Sequence, residues 1–212
     1  MPEATPAPAG PILHILAGPN GAGKTSLYEA RIRQLTDAEF VNADRLSFEA
    51  LGRRHAVTRG EAQLGQDLAH DRREILMAAG RSLVTETTFS HPSKLDLVSR
   101  AKARGYRVVV YHLNVASADF AVARVAARLA HGGHPVPEAN IRARYERSQP
   151  LIRQAVLLAD RALVFDNSAI GQPPRLLLTL ADGKPAMVAG RLPAWASVLY
   201  AAEIAALDRP SS

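Results

Sequence analysis

The chain has 212 residues, a formal net charge of +6 and no cysteine. The lack of cysteine excludes disulfides, cysteine-zinc sites and thiol catalysis, and no apolar stretch is long enough to cross a bilayer. The basic balance is compatible with a solvated surface or with a cleft that binds phosphates. Nucleic acid is a weaker alternative, because no basic motif with interleaved aromatic residues occurs.

Short apolar runs alternate along the chain with longer segments in which apolar residues recur at the spacing of a helix. Residues 1–11 are rich in proline and alanine, lack a basic start and an apolar core, and are expected to be a disordered lead-in rather than a secretory signal. We therefore expect a cytoplasmic protein. The pattern predicts strands at 12–17, 40–42, 82–85, 107–113 and 162–165, and helices at 24–34, 59–79, 92–104, 117–131, 138–158 and 195–207. Two further strands, 176–180 and 186–189, flank Asp182-Gly183 and predict a hairpin.

Apolar strands alternating with helices predict an α/β fold with a parallel sheet that is flanked by helices on both faces. Ligands of such sheets bind at the carboxyl ends of the strands. Residues 12–212 are expected to form a single domain with a helical lid at about 117–150 and a C-terminal β-hairpin plus helix. The second and third strands are expected on one side of the first.

A phosphate-binding loop follows the first predicted strand. Residues 18–25, GPNGAGKT, match G-x-x-x-x-G-K-[ST] at every fixed position, between a buried strand and a helix. Glycines let the backbone N–H groups converge on phosphate oxygens, Lys24 supplies a cation for the β- and γ-phosphates, and the Thr25 hydroxyl is a ligand for Mg²⁺. The fold is therefore predicted to be the P-loop nucleoside triphosphate hydrolase fold, with ATP or GTP and Mg²⁺ as cofactors. The predicted nucleotide-binding residues of the loop are Gly18, Pro19, Asn20, Gly21, Ala22, Gly23, Lys24, Thr25 and Ser26.

Other segments narrow the class of P-loop protein. The sequence contains no [NT]-K-x-D guanine-binding loop, no L-S-G-G-Q transporter signature and no apolar strand that ends in Asp-Glu, which motor ATPases usually carry. A small-molecule kinase or a degenerate nucleotide-binding module remains.

A kinase needs a base for the acceptor hydroxyl and carboxylates that organise the metal. Asp44 follows the second strand and is assigned as the base; the alternative is an N-cap for a helix that starts at Arg45. Glu86 ends the third strand and is a candidate to hold Mg²⁺ together with Thr25, with Asp166 as the rival. The alternative for both is a carboxylate that caps local N–H groups.

Arginines mark the predicted lid. Arg124 and Arg128 are four residues apart and share one helix face, while Arg142, Arg144 and Arg147 lie on the next helix. Arginine suits a lid that closes over phosphates because its planar fork binds phosphate oxygens in pairs. The alternative is a set of solvated surface side chains. His134, in the loop between the two helices, is a candidate substrate contact or an exposed residue.

Six segments together resemble the zeta-toxin family of P-loop kinases, and most closely its short bacterial branch. They are GPNGAGKTS, VNADRL, ETTFSH, GYRVVVYHL, RVAARLAHGGHPVPEANIRARYERS and DRALVFDNS, and the similarity covers about residues 12–168.

The resemblance implies an ATP- or GTP-dependent transfer of phosphate to the 3′-hydroxyl of UDP-N-acetylglucosamine. It implies Lys24 as the phosphate-binding lysine, Asp44 as the catalytic base, and the Glu-x-Thr of Glu86 and Thr88 as a substrate segment. The lid arginines match Arg124, as a nucleotide contact, and Arg128, as a catalytic cation; Arg144 and His134 are the remaining substrate candidates.

Two features depart from the family pattern. Ser90 stands where the best-known members have an arginine after the Glu-x-Thr, and His134 lies near the place of the second lid arginine. Another hydroxyl acceptor, such as a nucleoside or an RNA end, or a regulatory module without transfer, therefore stays open. The resemblance also implies a possible small helical antitoxin as partner, and no membrane partner.

Overall fold

The computed structural model describes residues 10–52, 58–130 and 136–207. Seven strands form one sheet in the order β2-β3-β1-β4-β5-β6-β7, so β2 and β3 lie on one side of β1 as expected. The first five strands are parallel, and β6 and β7 add an antiparallel edge. The strands are β1 (Ile12–Ala17), β2 (Glu39–Val41), β3 (Leu83–Thr87), β4 (Arg107–Asn114), β5 (Arg161–Asp166), β6 (Arg175–Ala181) and β7 (Lys184–Val188).

Helices cover both faces of this sheet, which confirms the predicted α/β architecture. They are α1 (Lys24–Ala30), α2 (Ala43–Leu51), α3 (Arg59–Ala78), α4 (Ser93–Ala103), α5 (Ala118–Ala130), α6 (Glu138–Leu158), α7 (Ala194–Leu199) and α8 (Ala201–Leu207). One core cluster packs α3, α4 and α6 against the sheet, and the other packs α1 and the following 3₁₀ turn against the opposite face. No helix within the described ranges has both the length and the hydrophobicity to cross a membrane.

The central strand β4 shows why the sheet forms here. Its sequence RVVVYHLN is buried from Val108 onward, as a strand with helices on both faces must be. Its backbone pairs with β1 on one side and β5 on the other. The P-loop strand is thereby held in the middle of the sheet, and its carboxyl end is the fixed point from which the site is built.

Several element bounds differ from the sequence expectation. The first helix ends at Ala30 and gives way to a separate 3₁₀ turn at Ile32–Gln34. The C-terminal helix is divided at Tyr200, whose fully buried ring anchors the break to the core. Strand β3 continues through Thr87, so Glu86 lies inside the strand rather than after it.

The hairpin of β6 and β7 turns at Asp182-Gly183, as predicted. Both residues have positive φ, 48° and 71°, which is the geometry of a two-residue turn that matches the twist of the flanking strands. The two antiparallel strands at the edge of the sheet are therefore joined by a two-residue turn, and α7 and α8 follow them in the chain.

The N-cap alternative for Asp44 is wrong. The side chain of Asn42 caps α2 by accepting a hydrogen bond from the backbone N–H of Arg45 at 3.0 Å. Asp44 sits in the first turn of α2 with an exposed side chain. Its carboxylate is therefore not used to start the helix.

Candidate active site

The P-loop is a turn that only glycines can form at three of its positions. Gly21 and Gly23 have φ of 78° and 90°, the left-handed region that favours glycine. Gly18 has a different constraint, because a Cβ added there would lie 2.1 Å from the carbonyl oxygen of Leu113 in β4. Because Gly18 has no side chain, the P-loop backbone can pack directly against β4.

The Lys24 side chain lies inside this turn. Its ammonium group donates to the carbonyl oxygens of Gly18 at 2.9 Å and Pro19 at 3.0 Å, and only 6% of the side chain is exposed. Burial lowers the pKa of Lys24 from its ordinary value, and the nearby positive charge of Arg128 lowers it further. The carboxylates of Glu86 and Asp44 act in the opposite direction.

Two predicted catalytic residues act on the charge of Lys24. The carboxylate of Asp44, in α2, raises the pKa of Lys24, and the positive charge of Arg128, in α5, lowers it. Such interactions weaken with distance and solvent screening, so both residues belong to the electrostatic surroundings of the lysine.

Glu86 connects the loop to the neighbouring strands. Its Oε2 accepts a hydrogen bond from the Thr25 hydroxyl at 2.8 Å and one from the Asn42 amide at 3.1 Å, while Oε1 lies 3.7 Å from the Lys24 ammonium. A hydroxyl and a carboxylate in contact beside a phosphate loop are the hard oxygen donors that suit Mg²⁺, which keeps most of its ligands as water and phosphate. The donor set at Thr25 and Glu86 therefore fits this ion.

Asp166, the rival for the metal, is engaged elsewhere. Its Oδ1 accepts hydrogen bonds from the Ser168 hydroxyl at 2.7 Å and from the Trp195 indole at 3.0 Å. The carboxylate thus ties β5 to α7, and the contact with Thr25 belongs to Glu86.

The arginine-bearing helices α5 and α6 lie against the P-loop. A Cβ on Gly21 would meet the Ala121 carbonyl at 2.8 Å and the Arg124 side chain at 3.4 Å, so α5 touches the loop. Arg124 is half-buried over the Phe120 ring, 5.2 Å from its centroid, and burial lowers its pKa. From α6, the Arg144 guanidinium is 3.5 Å from the Asn20 side chain of the loop.

The remaining candidates take different positions. The Thr88 hydroxyl lies 3.3 Å from that of Ser90, in the loop after β3, and is half-buried. Ser26 is exposed on the first turn of α1. Arg142 is engaged in ion pairs with Asp119 and Glu138. His134 lies outside the described residues.

Two asparagines support the site, and the sequence reasoning gave neither a role. Asn167, after β5, donates from its amide to the Ala22 carbonyl of the P-loop at 2.8 Å, and its backbone N–H donates to the Asn114 carbonyl at 2.8 Å. Asn42 holds Glu86 while it caps α2. An asparagine immediately before a helix is a preferred N-cap, so that half of the Asn42 role was available from the sequence.

This fold and loop geometry define a P-loop protein with a kinase-like fold. The chain belongs to the AAA domain family AAA_33, whose model matches residues 13–151. No curated protein matches.

Solved structures share the fold. A structure of AvrRxo1-ORF1 with ORF2 and ATP has a TM-score of 0.63 at 16% identity, over 85% of this chain and 61% of that one. The PezAT toxin–antitoxin system of Streptococcus pneumoniae has a TM-score of 0.57 at 13% identity, over 74% of this chain and 68% of that one. A putative kinase from Chloroflexus aurantiacus has a TM-score of 0.52 at 20% identity, over 65% of this chain and 78% of that one. The chain thus spans about 61% of the length of the AvrRxo1 chain.

Proposed function

We propose that this chain is a zeta-toxin-type kinase that transfers the γ-phosphoryl group of ATP, or of GTP, to a hydroxyl of a sugar nucleotide such as UDP-N-acetylglucosamine. The observation that carries the proposal is the contact of Glu86 with the Thr25 hydroxyl at 2.8 Å and with the Lys24 ammonium at 3.7 Å, at a lysine whose charge Asp44 and Arg128 also influence. A P-loop that only binds a nucleotide needs a carboxylate for the metal but no second one. A phosphoryl transferase needs a second carboxylate to accept the proton of the acceptor hydroxyl, and Asp44, which acts on the charge of Lys24, is the candidate.

Each side chain has a stated task in this mechanism. The N–H groups of residues 20–24 bind phosphate oxygens, and Lys24 leaves the Gly18 and Pro19 carbonyls to neutralise the β- and γ-phosphates. Asp44 takes the proton from the acceptor. Arg128 stabilises charge on the group in transfer, with Arg124 and Arg144 as further cations above the loop.

Mg²⁺ would be held by the Thr25 hydroxyl, with Glu86 orienting its water ligands, and it supplies charge neutralisation between the β- and γ-phosphates. Glu86 accepts the hydrogen bond of the Thr25 hydroxyl and lies 3.7 Å from the Lys24 ammonium. The same carboxylate therefore orients both residues.

The acceptor assignment depends on the family resemblance and on one contact. Ser90 lacks the charge that the family supplies at this place, but Arg147 from α6 donates from its Nε to the Ser90 carbonyl at 2.7 Å. The Arg147 guanidinium of α6 therefore lies beside position 90, where the family has an arginine in the loop itself. A diphosphate-bearing acceptor fits such a cation.

An acceptor screen with γ-labelled ATP and Mg²⁺ tests this function. We expect label to appear on UDP-N-acetylglucosamine with the native chain, and transfer to fall at least a hundredfold in Asp44→Asn while ATP affinity is retained. Asp37→Asn, an exposed carboxylate on the loop before β2, is the matched control. Normal transfer by Asp44→Asn would remove the base assignment; label on a nucleoside or an RNA end would replace the acceptor; and ATP binding without any acceptor-dependent turnover would identify a regulatory module.

The domain and partner expectations are parts of the same proposal. We take 12–212 as one kinase domain in which 117–150 closes over the nucleotide. A small helical antitoxin is a further expectation, in line with the PezAT toxin–antitoxin system, whose structure shares this fold. Inhibition of the labelled transfer by a helical protein encoded beside this one would support it.

A further inference from the structure

A pocket of about 590 Å³ lies between α3 and α4, and its lining includes Arg73, Lys94, Asp96 and Arg100. Its size is in the range of small-molecule sites. None of these residues has a role in the proposed transfer. Arg73 lies eight residues beyond Gly65, the point where α3 packs on α2, which is about 12 Å along the helix.

Arg73 is the unusual member of the lining. Only 9% of the residue is exposed, yet among the described residues its guanidinium has no hydrogen bond or ion pair. Burial lowers the pKa of Arg73, and the charge of Glu74 only partly offsets this effect. The Glu74 oxygens themselves pair with Arg100 at 2.9 Å and with Arg104 at 3.2 Å. Buried arginines are ordinarily paired, because an unpaired buried charge is costly.

Lys94 makes the imbalance larger. It is half-buried on the first turn of α4, and its ammonium group likewise has no partner among the residues that the structure describes. Burial lowers the pKa of Lys94, and so does the positive charge of Arg73, which lines the same pocket. The lining carries three cations, Arg73, Lys94 and Arg100, against the single carboxylate of Asp96.

We propose that this pocket binds the phosphate group of a small anion, either inorganic phosphate or a phosphate monoester, between Arg73 and Lys94. A guanidinium offers paired donors that match phosphate oxygens, and an ammonium adds a point charge. The two groups repel one another, and the attraction of each to a dianion between them would exceed that repulsion. The backbone N–H groups at the start of α4 are engaged by His91 and Pro92, so the side chains supply the recognition.

The test is calorimetric titration of the full chain with inorganic phosphate and, separately, with glycerol phosphate. The P-loop is first saturated with a non-hydrolysable ATP analogue and Mg²⁺, so that heat from that site is excluded. Native protein is expected to bind at least one of the two ligands, and the tighter one identifies the source of the phosphate. Lys94→Gln and Arg73→Gln are each expected to weaken binding about tenfold or more, whereas Arg161→Gln, an exposed arginine at the start of β5, is expected to bind like the native chain.

A second readout separates a ligand site from a structural one. In phosphate-free buffer, Lys94→Gln is expected to unfold at the native denaturant concentration or above it, since the change removes a repulsion. Absence of binding by the native chain, native affinity in Lys94→Gln, or destabilisation of Lys94→Gln without phosphate would each overturn the proposal. None of these outcomes depends on whether the P-loop transfers phosphate.

Discussion

Gly18→Ala isolates the contact that sets the P-loop against the sheet. The new Cβ would lie 2.1 Å from the Leu113 carbonyl oxygen, about 1.2 Å closer than a normal carbon–oxygen contact of about 3.3 Å. The obstructing atom belongs to the backbone of β4, which is paired with β1 and β5 and cannot move aside as a side chain would. The strain must therefore be taken up by the P-loop or by the pairing of β1 with β4.

Overpacking of this kind costs about 1–3 kcal/mol, and the rigid neighbour places Gly18→Ala near the upper end. For a chain of this size, about 3 kcal/mol corresponds to a fall in Tm of roughly 6–12 °C. If the loop moves instead, stability is kept and the inward N–H groups are lost, so affinity for Mg·ATP should fall at least a hundredfold. Urea unfolding and calorimetric titration with Mg·ATP measure the two quantities on the same samples.

Gly190→Ala is the matched control. A Cβ there meets no atom within 4 Å, and the backbone is not in the left-handed region, so stability should change by less than about 1 kcal/mol. If Gly18→Ala matches Gly190→Ala in both stability and nucleotide affinity, the steric account of the loop is refuted.

Three further predictions concern residues around the loop. Asn167→Ala leaves the buried Ala22 carbonyl without its 2.8 Å hydrogen bond, so the free energy of unfolding in urea should fall by about 1–3 kcal/mol and nucleotide binding should weaken. The exposed change Asn140→Ala is the control and should alter neither quantity. If both variants have the same stability and nucleotide affinity, Asn167 does not support the loop. Glu86→Gln should raise the Mg²⁺ concentration needed for ATP binding about tenfold, and an unaltered Mg²⁺ dependence would exclude Glu86 from the metal site. Burial lowers the pKa of His14 to about 4, so the unfolded chain binds the extra proton and stability should fall between pH 6.5 and 4 by about 1.4 kcal/mol per pH unit from this residue. His14→Gln should reduce the slope of pH-dependent urea unfolding by that amount and leave the slope from His112, whose pKa burial lowers to about 3. An unchanged slope would show that His14 makes no contribution.

The order of elements was predictable because it depends on local patterns. The apolar run of β4 and the P-loop motif after β1 are visible in single segments, and together they define a parallel sheet with its ligands at the carboxyl edge. The two-residue turn at Asp182-Gly183 is equally local. The division of the C-terminal helix at Tyr200 was not predictable, because it depends on the burial of the Tyr200 ring in the tertiary core.

The candidate site also has a part that local sequence predicts and a part that it does not. The motif marks Lys24 and Thr25 as candidates, and its place after a strand marks Asp44. The choice of Glu86 over Asp166 beside Thr25 depends on which strands are neighbours and on the Trp195 indole that engages Asp166. Such contacts join residues far apart in the chain, so no spacing rule reveals them.

The central claim is that the loop at 18–25 binds a triphosphate through its backbone and Lys24. Calorimetric titration of Mg·ATP into the native chain and into Lys24→Ala tests it, with the exposed hairpin lysine change Lys184→Ala as control. We expect measurable binding by the native chain and by Lys184→Ala, and a loss of about a hundredfold or more in Lys24→Ala. Absence of binding by the native chain, or equal affinity in Lys24→Ala, would contradict the account.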